Sequence, residues 1–275
     1  MIKLGSHVSF KAPDYLYGAG KETINNNANT MMIYLGPPQN TFRISTNNYK
    51  LNDFLNEFSS NIKIEDIVVH APYIVNPSNP EKTAFTRDFL VKEIERMNYI
   101  GCKYLVLHPG ASTKFDRTKC LDVLAENLSY IFSQTKNVCI ALETMSGKGT
   151  EIGKNFDELL YVLNKVNNNR LGICLDTCHV WDAGYNIKNI NDFMNILKDK
   201  KILEHIMVVH LNDSKNDILS RKDRHENIGE GYIGLKTLKE LIHLPEFDNI
   251  PIILETPWKE DGPIYDKEIK ILLEN

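Results

Sequence analysis

The sequence predicts a single parallel (β/α)8 barrel with its active site at the carboxyl ends of the strands. Its 275 residues are close to the usual length of one such domain. Short apolar runs alternate with amphipathic segments about eight times, without a linker or a low-complexity tract. Six successive apolar runs also end in His, Asp or Glu, and a parallel barrel brings such strand ends to one face. We therefore expect one domain over residues 1–275.

The apolar runs have the length and composition of buried strands. We predict strands at residues 2–4, 31–35, 67–69, 104–107, 138–142, 171–175, 206–209 and 252–254. The turn-forming segment Gly36-Pro-Pro-Gln-Asn40 follows the second strand. After the third strand, Tyr73 and Ile74 place an aromatic and an aliphatic side chain next to each other on a loop.

Between the strands, apolar side chains recur at helical spacing. We predict helices at residues 51–58, 83–100, 117–134, 156–166, 190–197, 235–243 and 264–273. The helix at 83–100 follows Pro77 and Pro80, and Gly101 is suited to end it as a C-cap. This alternation is typical of repeated βα units.

The groups at the six polar strand ends suit a metal ion. They are His70, His108, Glu143, Asp176, His210 and Glu255. Strand ends usually carry Gly, Asn, Asp or Pro, whereas imidazoles and carboxylates are the ligands of zinc-like ions. His179 follows Asp176 by three residues on what we predict to be a loop. A shared metal site therefore explains the pattern better than six independent polar residues.

The most polar loop of the chain follows His210. In an extended segment, Asp223 and His225 would point to the same side and bind one ion, and Arg224 would point away and meet a phosphate. We expect His7, after the first strand, to support the site without binding a metal.

Composition excludes several classes of protein. Hydrophobic residues make up 42% and charged residues 25%, so disorder is not expected. The sequence has neither a signal-peptide pattern nor an apolar run of membrane-spanning length, so we expect a cytoplasmic protein without a membrane partner. The five cysteines are predicted to be buried, reduced thiols.

Several strings together resemble the endonuclease IV family of zinc-dependent apurinic/apyrimidinic endonucleases, which have a TIM barrel. The resemblance begins at Gly5-Ser-His-Val-Ser9 and covers essentially the whole chain. Its other motifs are Leu107-His-Pro-Gly110, Leu142-Glu-Thr144, Leu175-Asp-Thr-Cys-His179, His210-Leu-Asn-Asp-Ser-Lys215, Asp223-Arg-His225, Gly229-Glu-Gly231 and Ile253-Leu-Glu-Thr256.

The resemblance implies three zinc ions held by nine residues. His70, His108 and Glu143 would bind the first; Glu143, Asp176, His210 and Glu255 the second; His179, Asp223 and His225 the third. Glu143 and Glu255 would be catalytic. The implied reaction is hydrolysis of the phosphodiester on the 5′ side of an abasic site, leaving a 3′-hydroxyl, together with trimming of blocked 3′ ends.

The implied partner is double-stranded DNA with such lesions, and we expect the protein to be a monomer. Tyr73 and Ile74 match one position that the family inserts into the duplex, and Gln39 stands where some members have Arg. Further DNA contacts are expected from cations on loops after strands, namely Lys148, Lys215, Arg221 and Arg224. The formal net charge of −4 does not exclude DNA, because three Zn²⁺ would change it to about +2.

Two other classes of function fit parts of the pattern. A metal-dependent sugar isomerase or epimerase on a related barrel also uses His, Glu and Asp at strand ends, but it does not need His179, Asp223 and His225. A barrel that only binds DNA or a carbohydrate needs none of the nine groups. Metal content separates the three classes of protein.

Overall fold

Eight apolar runs form parallel strands that close into one barrel in the computed structural model, which describes residues 2–274. The barrel strands are β1 (Lys3–His7), β2 (Thr30–Ile33), β3 (Val68–His70), β4 (Tyr104–Leu107), β5 (Cys139–Glu143), β6 (Leu171–Asp176), β7 (Ile206–His210) and, after the hairpin β8 (Asp213–Ser214) and β9 (His225–Glu226), β10 (Pro251–Leu254). They are adjacent in chain order, and β10 pairs with both β7 and β1. The predicted barrel is confirmed.

Helices connect the strands. Within residues 2–274 the α-helices are α1 (Tyr15–Asn25), α2 (Leu51–Phe58), α3 (Thr83–Ile100), α4 (Arg117–Gln134), α5 (Phe156–Val166), α6 (Thr177–Ala183), α7 (Ile190–Asp199), α8 (Leu235–Ile242) and α9 (Tyr265–Leu273). Short 3-10 helices lie at Thr46–Asn48, Ile64–Asp66, Pro80–Lys82, Leu203–His205 and Pro245–Phe247. No helix among the described residues has the length and apolar character needed to cross a membrane.

Local signals set the ends of the longer helices. The N–H of Gly101, at a φ of 99°, donates to the Met97 carbonyl at 2.8 Å and ends α3 as predicted. The side chain of Asp116 accepts from the N–H of Lys119 at 2.9 Å and begins α4.

The sequence patterns do not predict α1, because Gly18 and Gly20 lower its helix propensity. Gly20 lies where α1 packs on α2, and a Cβ there would come within 2.5 Å of the Phe58 ring. Tertiary packing therefore outweighs local propensity in this helix.

An apolar layer fills the barrel below the carboxyl ends of the strands. It consists of Met32, Val68, Val106, Ala141, Cys174, Val208 and Ile253, all fully buried. A second layer packs the outer faces of the strands against the helices. The five cysteines are all buried and reduced, as predicted.

The inner layer explains which way the strand ends point. Side chains alternate along a strand, so a residue two positions after an inward-facing one also faces inward. Six pairs have this spacing: Val68 and His70, Val106 and His108, Ala141 and Glu143, Cys174 and Asp176, Val208 and His210, Ile253 and Glu255. The polar groups therefore converge above an apolar floor.

Candidate metal centre

Glu143, at the end of β5, contacts four imidazoles with its two carboxylate oxygens. Oε2 lies 3.1 Å from Nε2 of His70 and 3.1 Å from Nε2 of His108. Oε1 lies 3.2 Å from Nδ1 of His210 and 3.3 Å from Nδ1 of His179. One oxygen faces each half of the cluster, which is the arrangement that a bridging ligand requires.

Glu255 and Asp176 complete the part of the cluster around His210. Nδ1 of His210 lies 3.0 Å from Oε2 of Glu255 and 3.9 Å from Oδ2 of Asp176. Asn212 connects these two acids, because its Nδ2 donates to Oδ2 of Asp176 at 2.8 Å and its Oδ1 accepts from the N–H of Glu255 at 2.9 Å. Register adds to this arrangement, since Asp176 and His210 are paired neighbours on β6 and β7.

His179 lies in the first turn of α6, so the prediction that it lies on a loop is wrong. Asp176 is the N-cap of α6, and its Oδ1 accepts from the N–H of His179 at 2.7 Å. Helix α6 thereby follows Asp176 directly and carries His179 in its first turn. A capping carboxylate satisfies one of the free N–H groups at a helix start.

Asp223 reaches the centre from the loop before β9, and His225 reaches it from the first position of β9. Oδ1 of Asp223 lies 3.0 Å from Nε2 of His179 and 3.6 Å from Nε2 of His225. Nε2 of His225 is also 3.7 Å from Oδ2 of Asp176. Asp223 has a φ of 53°, so the predicted extended segment is wrong at this residue, although the two side chains do meet. Arg224 between them is exposed.

Backbone carbonyls orient three of the imidazoles. Nδ1 of His70 hydrogen-bonds to the carbonyl of Ala71 at 2.7 Å, and Nδ1 of His179 to the carbonyl of Thr144 at 2.8 Å. Nδ1 of His225 is 3.2 Å from the carbonyl of Glu255. In a neutral ring the proton then resides on Nδ1, which leaves Nε2 as a lone-pair donor aimed at the centre.

Burial and opposite charges act against each other on the ionisable groups. Burial lowers the pKa of His179 and His210, but neighbouring groups outweigh it and raise both pKa values well above the usual range: chiefly Asp176 for His179, and Cys174 followed by Glu255 for His210. Burial raises the pKa of Glu143, yet His210 and His108 hold that pKa well below its usual value. Burial also raises the pKa of Asp223, but His179 beside it outweighs burial and lowers that pKa to about 2. The pKa of Asp176 is raised, chiefly by burial.

The nitrogen and oxygen atoms of the centre are better suited to bind metal ions than to satisfy one another by hydrogen bonds. Among residues 2–274, Nε2 of His225 is buried without a hydrogen-bond partner and lies 3.7 Å from Oδ2 of Asp176 and 3.6 Å from Oδ1 of Asp223, a costly state unless a cation binds there. Overlapping sets of groups have ligand atoms within 4.8 Å of one another: His70, His210 and Glu255; His70, His108 and Glu143; Asp176, His179 and His225; Glu143, Asp176, His210 and Glu255. Imidazole and carboxylate are suitable donors for zinc.

His7 lies beside the centre, where the sequence places a supporting residue. Its ring packs edge-on against Tyr34 at 5.2 Å, and Tyr34 packs against His70 at 5.0 Å. Burial lowers the pKa of His7, which favours the neutral ring. Sequence reasoning missed Asn212 and Thr144, because each acts through hydrogen bonds to residues on another strand.

The predicted DNA contacts all lie on exposed loops that follow strands. Tyr73 is 59% and Ile74 50% exposed, so two large apolar side chains lie next to each other at the surface. The polar ones are also exposed: Gln39, Lys148, Lys215, Arg221 and Arg224. Among residues 2–274, four further exposed large apolar residues lie on such loops and were not predicted: Phe42, Leu219, Tyr232 and Trp258.

Comparison with known proteins identifies the family. Residues 24–275 match the family described as xylose isomerase-like TIM barrel. The chain is 59% identical over 273 residues to "Probable endonuclease 4" of Mycoplasmopsis synoviae, covering 99% of each chain. It belongs to the endonuclease 4 family. A relative of the same name in Mycoplasmopsis agalactiae is 57% identical over 275 residues, with 100% of this chain and 99% of that one covered.

Solved structures show the same fold. Endonuclease IV from Thermus thermophilus superposes with a TM-score of 0.83 at 23% identity, covering 98% of this chain and 97% of the other. A D-tagatose 3-epimerase-like protein superposes with a TM-score of 0.70, also at 23% identity, covering 98% and 96%. The barrel is thus shared with epimerase-like proteins, whereas sequence identity places this chain in the endonuclease 4 family. The predicted family, fold and nuclease class are confirmed.

Proposed function

We propose that this member of the endonuclease 4 family hydrolyses the phosphodiester on the 5′ side of an abasic site in double-stranded DNA, leaving a 3′-hydroxyl. We further propose that it trims blocked 3′ ends and uses three zinc ions. The observation that carries the proposal is the contact of one carboxylate, Glu143, with four imidazoles at 3.1–3.3 Å. Family membership supports the nuclease activity.

The proposed zinc ligands are the nine residues of the centre. His70, His108 and Glu143 would hold the first ion; Glu143, Asp176, His210 and Glu255 the second; His179, Asp223 and His225 the third. Zinc supplies a nucleophile at neutral pH and stabilises the negative charge that develops on a phosphate during hydrolysis. The two oxygens of Glu143 support its bridging role, since they face different pairs of histidines.

Glu255 is suited to orient the attacking water. Its side chain is 18% exposed, whereas Glu143 is 1% exposed, so Glu255 can reach a solvent molecule. Burial raises the pKa of Glu255, but His210 beside it holds that pKa far below the usual range. The carboxylate therefore stays ionised and accepts a hydrogen bond from water. Glu143 instead holds the positions of the histidines around it.

Tyr73 and Ile74 are proposed to read the lesion. An abasic nucleotide leaves a gap in the base stack, and an inserted apolar side chain recovers part of the lost stacking, about 1–3 kcal/mol per base. Flipping also costs least where the base is absent, so selectivity needs no base contact. Gln39 adds a hydrogen-bonding group but no charge, so binding depends more on the two apolar residues.

Exposed cations are proposed to hold the phosphates on both sides of the lesion. Arg221 and Arg224 lie on the loop that carries Asp223, and Lys148 lies on the loop after β5. Lys215 lies 3.9 Å from Glu226, so its charge is partly compensated before DNA binds. We also propose that the protein acts as a monomer, because one chain supplies every group of the centre.

A cleavage assay tests this function. A duplex with one tetrahydrofuran abasic analogue should be cut on its 5′ side, and a DNA polymerase should extend the product directly because it ends in a 3′-hydroxyl. The matched intact duplex is the control. Equal cleavage of both duplexes, or a product that cannot be extended, would overturn the proposal. Epimerisation of a ketohexose without DNA cleavage would favour the isomerase alternative.

A further inference from the structure

The loop that carries Asp223 has an unusual backbone. Leu219, Arg221 and Asp223 have φ values of 65°, 54° and 53°, in the left-handed region that side chains other than glycine rarely adopt. Such conformations persist only where surrounding contacts hold them. The loop must therefore be held by contacts outside itself.

The last turn of α6 supplies those contacts. The carbonyl of Trp181 accepts from the N–H of Leu219 at 3.1 Å, and the carbonyl of Asp182 accepts from the N–H of Arg221 at 3.0 Å. The carboxylate of Asp182 accepts from the N–H of Asp223 at 2.8 Å. Each left-handed residue thus donates its N–H to α6.

Asp182 is fully buried, and both oxygens of its carboxylate accept hydrogen bonds. Its Oδ2 also accepts from the N–H of Lys222 at 3.3 Å, and its Oδ1 accepts from the hydroxyl of Ser214 on β8 at 2.8 Å. Within residues 2–274 no Lys, Arg or His forms an ion pair with it. Burying a carboxylate without a cation is costly, so hydrogen bonds must offset that cost. Two of the three hydrogen bonds to Asp182 come from backbone N–H groups of the loop.

We propose that Asp182 is a positioning residue that presets Asp223 as a metal ligand. Asp182 follows His179 by three positions, so both side chains lie on one side of α6. His179 contacts the Asp223 carboxylate at 3.0 Å, and Asp182 holds the Asp223 N–H. One short helix therefore determines where both ends of Asp223 lie. This inference rests on the proposed function, in which Asp223 binds the third zinc.

Zinc binding by two variants tests the inference. Asp182→Ala should lose about one zinc per chain, with an affinity for that ion about 10–100-fold weaker in competition with a chelator. Asp182→Asn retains an oxygen that can accept from the Asp223 N–H, so it should stay within about threefold of the unaltered protein. Asp217→Ala is the control, because this exposed carboxylate accepts within the same loop, from Ile218.

The outcomes separate this inference from the proposed function. Asp223→Ala is measured in parallel. If Asp223→Ala keeps three zinc ions, the ligand set itself is wrong. If Asp223→Ala loses one ion and Asp182→Ala does not, only the positioning role is overturned, and Asp182→Asn as weak as Asp182→Ala would also overturn it.

Amide hydrogen exchange of the unaltered, metal-free protein provides a test without mutation, even if Asp182→Ala does not fold. The Asp223 amide should exchange at least about tenfold more slowly than in an unstructured chain, because Asp182 holds it before metal binds. Exchange at the rate of an unstructured chain would overturn the inference.

Discussion

Replacing Glu143 by Gln removes the charge at the middle of the centre and keeps the shape of the side chain. The oxygens of Glu143 lie 3.1–3.3 Å from four imidazole nitrogens. A pair of unit charges at that distance is worth about 5 kcal/mol at an effective dielectric constant of about 20. Desolvation offsets part of this, and removing one partner of a buried ion pair costs about 3–5 kcal/mol. At about 1.4 kcal/mol per factor of ten, we expect metal affinity to fall about 10²- to 10⁴-fold.

The assay for Glu143→Gln measures zinc retained at a buffered free-zinc concentration, together with single-turnover cleavage of an abasic duplex. We expect fewer zinc ions per chain and a rate at least about 10³-fold lower, because the altered residue would contact two ions. Glu95→Gln is the matched control, since Glu95 is exposed on α3. A Glu143→Gln protein with full zinc content and near-normal turnover would refute the bridging role.

Three further predictions follow from the site. Tyr73→Ala with Ile74→Ala should weaken binding of an abasic duplex by about 1–3 kcal/mol and of an intact duplex much less, at one salt concentration; equal weakening would contradict lesion reading. His179→Ala should lose about one zinc per chain by elemental analysis, and full zinc content would exclude it as a ligand. Raised pKa values keep His179 and His210 protonated in the metal-free protein at pH 7. Zinc affinity should therefore rise with pH, and zinc binding should release about two protons. Calorimetry in two buffers of different ionisation enthalpy measures this proton release. Zinc binding without proton release would contradict the raised pKa values.

The strand ends were predictable because their signal is local. Each apolar run ends in a polar group, and alternation along a strand sends His70, Glu143 and Glu255 inward above the residue two positions earlier. A parallel barrel then brings the ends of neighbouring strands together without any long-range information from sequence. The convergence of these groups follows from the fold alone.

The parts that were not predicted depend on tertiary contacts. Helix α6 has only seven residues and begins at Thr177, directly after the strand residue Asp176, so His179 has the pattern of a loop residue. Asp182 would be taken from sequence as a solvated acid, and only its burial and its hydrogen bond to the Asp223 N–H reveal a role. The left-handed backbone of Asp223 likewise depends on α6, which no pattern in the loop indicates.

The central claim is that nine residues of one chain hold three zinc ions. Crystals of the purified protein, measured at the zinc absorption edge, test it most directly, because anomalous scattering locates each ion among its ligands. We predict three peaks per chain, with Glu143 between two of them and the third next to His179, Asp223 and His225. One or two peaks, or a third peak away from those residues, would contradict the account.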